Sequence, residues 1–265
     1  MKKRTSALLG LVVGALMTVM SVTANAQSVN DIIKRGKVLI GVNSAVPPYS
    51  TADAKGNVKG YDVDLAHLLA KYLGVPVEIT SYVTAARIPA LQAGKVDIML
   101  ATLAPTPARA QVVMFTMPYS SYPMVMAGPK AIQIKSMADL AGKKVAVSRG
   151  SSQEAVLEQS VPKNTVLSRF DDDLTSTQAV ISHQADAVAI PDAIFDSVVK
   201  ARPNADLEIK FVVYNSPLSI AVRSDAFNLR QWLNTTLSFI KANGELDAIS
   251  MKWTNHKLPK DIPVF

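Results

Sequence analysis

Short apolar runs alternate with longer amphipathic stretches along most of this chain. The short runs at 37–42, 77–82, 96–101, 144–147, 165–168 and 187–190 read as strands, and 96–101 is continuously apolar except for Asp97, as strands buried on both faces tend to be. Between them the spacing predicts helices over 63–73, from Arg87 to Gly94, a short one at 136–140, from Gly150-Ser151-Ser152 to about Ser160, 174–184 and 192–201. The first of these has Asp62 and Asp64 at its start, Lys71 in its last turn and Gly74 where a terminating glycine belongs; its apolar residues cover more than one face, which predicts deep burial. Residues 43–50 form a proline-punctuated loop closing on Tyr49, and 51–60 a turn-rich hairpin. Strands at 207–213 and 219–222 carry the chain back, and helices at 227–243 and 245–254 close it. Strand and helix alternating in both halves predict an α/β protein with parallel sheets covered on both faces.

The N-terminus is patterned differently. Lys2, Lys3 and Arg4 precede the apolar run 7–20 and then Ala24-Asn25-Ala26, the pattern of a secretory signal peptide over residues 1–26. The run has 14 residues, short of the roughly 18 to 20 that span a bilayer. Cleavage removes three basic residues and no acidic ones, which lowers the formal charge from +7 to +4 and gives little reason to expect a nucleic-acid partner. The chain has no cysteine, so neither a disulfide framework nor a lipid-attachment cysteine is expected; a freely diffusing periplasmic protein follows.

Two arginines sit where helices should begin. Arg87 opens one, and Thr106-Pro107, an N-cap followed by proline at the first helical position, puts Arg109 near the third position of another. The helix dipole disfavours a cation there by a few tenths to roughly 1 kcal/mol. An anion between the two would remove the conflict. Arg109 offers a fixed fork suited to a carboxylate, but solvated surface arginines, or pairing with an acid such as Asp97, explain the same spacing. The loops at 43–49, 84–87, 101–109 and 150–152 follow strand C-termini, the edge at which open α/β sheets bind ligands. Ser151-Ser152-Gln153-Glu154 fits a capping box with Ser151 as N-cap and Glu154 reaching back, leaving the Ser152 hydroxyl and first-turn N–H groups to an anion. Tyr49, Tyr119 and Tyr122 suggest either an aromatic wall or ordinary packing.

Enzyme signatures are thin. His67, His183 and His256 have no metal-ligand spacing, no nucleophile elbow, P-loop or dinucleotide fingerprint is present, and no metal or cofactor is expected. Asp171-Asp172-Asp173 reads as a capping and dipole device. A paired-carboxylate mechanism needs Glu78, Glu154 or Asp192 to converge.

Taken in order, G-Y-D-V-D-L-A from Gly60, I-P-A-L-Q-A-G-K-V-D from Ile88, T-P-x-R ending at Arg109, P-Y at Pro118, S-M-A-D-L-A-G-K-K-V-A-V from Ser136, I-A-V-R at Ile220 and K-W at Lys252 resemble the periplasmic amino-acid-binding proteins of ABC importers, the family 3 solute-binding proteins. The resemblance covers nearly all of residues 29–258. It implies a two-lobed, type II-like α/β binding protein whose sheets are joined by two hinge strands, with lobe 1 formed by 27–122 plus 216–265 and lobe 2 by 123–215.

The resemblance also implies roles. Arg109 takes the position that grips the ligand α-carboxylate, Thr102 a hydroxyl contact, and Ser151 and Ser152 the residues that close over the same carboxylate. Asn43 stands where relatives often carry aspartate, Val46 where an aromatic is usual, and Ala104 where serine or threonine is usual. Pro191 replaces the acid that holds the ligand ammonium, with Asp192 one residue along as its substitute. Thr84 and Arg87 resemble the side-chain carboxylate contacts of acidic-amino-acid binders, while Asn43 and Ala86 depart from that pattern and keep neutral polar ligands open. The implied function is a monomeric, non-catalytic receptor that delivers a polar or acidic amino acid to an inner-membrane ABC permease. Its rivals are a periplasmic cyclohexadienyl dehydratase on the same fold and a ligand-binding adaptor of a membrane sensor.

Overall fold

The computed structural model describes residues 28–258; the expected signal peptide lies outside them. The first described element is a helix, α1 (Val29–Arg35), because Ser28 and Asp31 cap each other's backbone reciprocally. Next come β1 (Val38–Val42), a small antiparallel ladder of β2 (Ala45–Val46), β3 (Ser50–Ala52) and β4 (Val58–Lys59), and α2 (Tyr61–Leu73). No side chain caps α2; instead its first N–H groups donate to the carbonyls of Pro48 (3.2 Å) and Tyr49 (2.8 Å), which ties the 47–49 loop to the helix. Then follow β5 (Val77–Ser81), a single 3₁₀ turn leading into α3 (Arg87–Gln92), β6 (Ile98–Leu103), α4 (Pro107–Ala110) and the long β7 (Val113–Pro129). The second half contributes β8 (Lys144–Ser148), α5 (Ser152–Ser160), β9 (Val166–Phe170), α6 (Asp173–Ile181), β10 (Ala187–Pro191), α7 (Asp192–Ala201) and the equally long β11 (Leu207–Arg223), before α8 (Phe227–Ala242) and α9 (Glu245–Thr254). Among the described residues no helix is long and apolar enough to cross a membrane.

Eight strands form one mixed sheet in the order β5-β1-β6-β11-β7-β10-β8-β9. The three strands at each end are parallel to one another, and the antiparallel β7–β11 pair joins the two ends. Each long strand serves one side: β11 residues 219–222 pair with β6, whereas β7 residues 124–127 pair with β10. The two covered sheets expected from the pattern are therefore two lobes continuous through a shared ribbon.

That ribbon corrects one expectation. Residues 207–213 and 219–222 are not separate strands but parts of the 17-residue β11, and its partner β7 is a strand of the same length. Pro118 and Pro123 precede the 124–127 stretch of β7 that pairs with β10, and Pro217 precedes the 219–222 stretch of β11 that pairs with β6, so none of these prolines removes a third-strand hydrogen bond. Register shifts cluster along β11 at 209/211, 212/214 and 218–221, and such bulges bend a strand and sharpen its twist.

The core divides the same way. Leu91, Val96, Met99 and Leu103 pack on one face of the first lobe beside α3, and Leu140, Val145, Val147 and Leu157 on one face of the second beside α5. A single larger cluster runs beneath both, from Ile40 and Leu69 through Tyr119 and Met124 to Val188 and Ile194.

The junction of the 47–49 loop with α2 depends on Gly60. At φ 142° and ψ −178° it occupies a region essentially closed to other residues, and a Cβ would stand 2.2 Å from the Tyr49 carbonyl oxygen. Gly60→Ala is expected to lose about 3 kcal/mol and lower the melting temperature by roughly 6–12 °C. Gly36→Ala, also at positive φ but facing open space, is expected to lose only about 1 kcal/mol; thermal melts of both compare them.

Candidate functional site

The C-terminal ends of β1, β5, β6, β8 and β9 converge where the lobes meet. Asn43, Val46, Thr84, Arg87, Thr102, Arg109, Tyr122, Ser151, Ser152, Gln153 and Asp173 line one pocket there. Seven of the nine candidate ligand-binding residues are thus brought together, Asn43, Thr84, Arg87, Thr102, Arg109, Ser151 and Ser152, and Tyr122 and Val46 join them. In this conformation they close on one another, leaving a cavity of about 10 Å³, room for no more than about one water molecule.

Arg87 faces the interior and is only 5% exposed. Its Nε donates to the Thr84 carbonyl at 3.0 Å and one terminal nitrogen to the Ala101 carbonyl at 2.6 Å. Burial pulls its pKa down, while Tyr122, Asp173, Tyr119 and Asp62 pull the other way. The Ala101 carbonyl also accepts the Thr102 hydroxyl at 2.8 Å. Thr102 holds φ at +49°, an uncommon conformation for a β-branched residue, with its N–H donating to the Tyr119 hydroxyl at 3.2 Å. The end of β6 is therefore bent to aim a carbonyl at a buried cation, a local strain of the kind that gathers at functional sites.

Arg109 spans the lobes. Thr106 caps α4 by accepting the Arg109 N–H, as the Thr-Pro pair predicts, and the guanidinium donates to Ala104 O in its own lobe (2.7 Å) and to Gly150 O in the other (2.9 Å). Burial, with the nearby Arg87 charge adding to it, pushes its pKa down to about 10. It stays charged at neutral pH, so two guanidiniums, one buried and one partly so, share a pocket in which an anion would be favoured. The acid suggested as an alternative partner, Asp97, accepts instead from Arg35 and from the Leu39 N–H (2.8 Å).

Polar groups surround the pair. Asn43 Nδ2 donates to Thr84 Oγ1 at 3.2 Å, and Ser152 accepts from the Tyr214 hydroxyl at 3.0 Å. Ser151 is the N-cap of α5, accepting from the Glu154 N–H at 3.1 Å. The expected box is displaced by one residue, because Glu154 Oε2 accepts from the Gly150 N–H at 2.6 Å.

Two site residues lie elsewhere. Tyr49 is buried among aromatic rings, tilted against Tyr61 at 5.3 Å and edge-on to Tyr122 at 5.5 Å, with its hydroxyl paired to Ser120. Asp192 opens α7, and its Oδ1 accepts the next residue's N–H at 2.7 Å. Both face a neighbouring cavity of about 550 Å³ rather than the arginine pocket. Glu78 and Glu154 are engaged by Lys37 and Arg169, so these carboxylates do not converge with Asp192.

Asp173 is the residue the sequence pattern hid. Of the three consecutive aspartates, Asp172 does the capping, with a box completed by Thr175, whereas Asp173 is 6% exposed and lines the pocket. Burial pushes its carboxyl up to about 6, opposed by the hydrogen bond from Ser148 and the Arg87 charge. An amphipathic reading of α6 that asks which side of the helix start is buried is the only sequence signal that separates it from its neighbours.

Residues 38–256 match the model of the bacterial extracellular solute-binding proteins, family 3. ABC transporter arginine-binding protein 1 of Escherichia coli strain K12 is 28% identical over 221 residues, covering 82% of this chain and 90% of that protein. The structure of an ancestral arginine-binding protein bound to arginine superposes with a TM-score of 0.79 at 35% identity, over 83% of this chain and 98% of the other. That of the Neisseria gonorrhoeae solute receptor for L-cysteine gives 0.80 at 30% identity, over 86% and 93%.

Closure brings Gly150 against Ala85: at φ +71°, a Cβ on Gly150 would lie 3.2 Å from the Ala85 Cα. Gly150→Val is expected to hold the lobes apart, raising the radius of gyration measured by small-angle scattering in the presence of ligand and weakening binding by roughly tenfold or more. An unchanged ligand-bound radius would show that the loop yields instead.

Proposed function

The chain belongs to the bacterial extracellular solute-binding proteins, family 3, and from that premise we propose that it is the periplasmic receptor of an amino-acid ABC importer. The observation that carries this reading is the Arg109 fork, which reaches carbonyls of both lobes. A ligand α-carboxylate takes over that fork, and the Ser151 and Ser152 groups at the start of α5 add donors from the opposite lobe. Because such a ligand touches both sides, it stabilises the closed form over the open one, and closure is what an inner-membrane permease reads. The moving bodies are the described parts of 27–122 plus 216–265 and of 123–215, hinged in the two-strand ribbon, and the receptor acts as an exported monomer.

Charge selects the ligand class. Two arginines against one ionised aspartate leave the pocket with a net positive charge, Asp62 being pushed toward its neutral form by complete burial. A ligand such as glutamate or aspartate, with one net negative charge, cancels it; a neutral polar amino acid is tolerated, and a cationic side chain is repelled by Arg87. Thr84 and Asn43, paired beside Arg87, supply the side-chain contacts. Arginine-binding relatives therefore do not transfer their ligand to this pocket.

Calorimetric titration of the purified protein, unfolded and refolded to strip bound ligand, tests the reading against glutamate, aspartate, glutamine, asparagine, cystine and arginine. One-to-one binding is expected, with acidic amino acids tightest and arginine weakest; arginine as the tightest ligand would overturn the charge argument. Arg109→Ala is expected to weaken binding at least 100-fold, because it leaves a carboxylate buried without its partner, at roughly 3–5 kcal/mol. Arg109→Lys keeps the charge but not the fork and should fall between the two.

A further inference from the structure

We propose that Asp173, at the start of α6, receives the ammonium group of the bound amino acid, the role that the family resemblance places near Asp192. This rests on the receptor reading above. Asp173 is 6% exposed and lines the same pocket as Arg87 and Arg109. Both of its donors, the Ser148 hydroxyl and Gln153 Nε2 at 2.9 Å, meet Oδ1. No described residue donates to Oδ2. A buried carboxylate with one oxygen anchored and the other unpartnered is half of an ion pair, and a zwitterionic ligand held through its carboxylate by Arg109 carries the other half.

Asp192 is placed differently. Its Oδ1 is occupied by the Ala193 N–H, and it faces the adjoining cavity with Tyr49, Ser120 and Lys200. Pro191 is the last residue of β10, so the acid that follows it starts α7 instead of ending the strand.

The charged and titratable groups facing Asp173 are Arg87 from α3, Tyr122 from β7, Tyr214 from β11 and the preceding Asp172, beside the neutral Ser148 and Gln153. No histidine lines the pocket. Burial pushes the Asp173 carboxyl up to about 6, and only its ionised form can pair with an ammonium group. Affinity for an amino acid should therefore fall as the pH drops through about 6, while a ligand lacking the amine is spared.

The test compares each amino acid with its des-amino partner: L-glutamate with glutarate, L-aspartate with succinate and L-glutamine with glutaramate. In the wild type the amino acid should bind more tightly in the pair that binds best, and this preference should shrink by up to about tenfold between pH 6 and pH 5. Asp173→Asn should lose roughly 10- to 100-fold in affinity for the amino acid and little for its partner, abolishing both the preference and its pH dependence. Should Asp173→Asn fail to fold, the wild-type pH series decides. A preference that survives Asp173→Asn, that does not move with pH, or that is lost in Asp192→Asn instead overturns the assignment and leaves the receptor reading standing. A wild type that binds none of these amino acids overturns both.

Discussion

Two strands carry the whole molecule. The antiparallel ladder between β7 and β11 is the only strand pairing among the described residues that links the two ends of the sheet, so the position of each lobe is set by where these strands find an outer neighbour and where they do not. β11 gains β6 late in its course and β7 gains β10 late in its own, and between those points the sheet narrows to two strands. A two-stranded ribbon with bulges and prolines bends far more readily than a packed sheet. The parallel strands on either side are stiff, covered by helices and aimed with their C-terminal ends at the gap between the lobes. The narrow ribbon and the crevice thus follow from one topological fact.

What the crevice holds is governed by the difficulty of burying charge. Arg87 is buried and Arg109 partly so, and their donors go to backbone carbonyls: Thr84 and Ala101 for one, Ala104 and Gly150 for the other. Carbonyl dipoles satisfy the hydrogen bonds but do not neutralise the charge. The strained Thr102 at the end of β6 is explained by the same need, since its backbone turns to place the Ala101 carbonyl within reach of both the guanidinium and its own hydroxyl. Arg109 differs from Arg87 in having one acceptor on each side of the crevice, whereas both acceptors of Arg87 lie on the same side. The place of one is set within its lobe, and that of the other by how the two lobes meet.

Much was legible in the sequence because it depends on local chemistry. The parallel strands, the helices from 192 to 201 and 245 to 254, the Thr106-Pro107 cap and the Ser151 N-cap are each decided by side chains within a few residues, and they stand where the pattern places them. The division of 207–223 into two strands is where local pattern falls short: Pro217 lies inside β11, and a proline breaks a strand only where a neighbour needs its N–H, which is not a local property. Glu154 reaching Gly150 in place of Ser151 is a smaller difference of the same kind.

The sequence by itself determined most of the element types, the family motifs and the identity of the two arginines, since hydrophobic period, cap chemistry and residue order suffice for these. Only the tertiary structure decided that the lobes share one sheet, that Arg87 turns inward, that Tyr49 and Asp192 face a separate cavity, and that Asp173 rather than its two neighbours enters the pocket. Three consecutive aspartates are identical in composition and nearly so in local propensity. They differ in which way the helix start is rotated against β8, α5 and the opposing lobe, and that rotation is fixed by packing between segments distant in the chain.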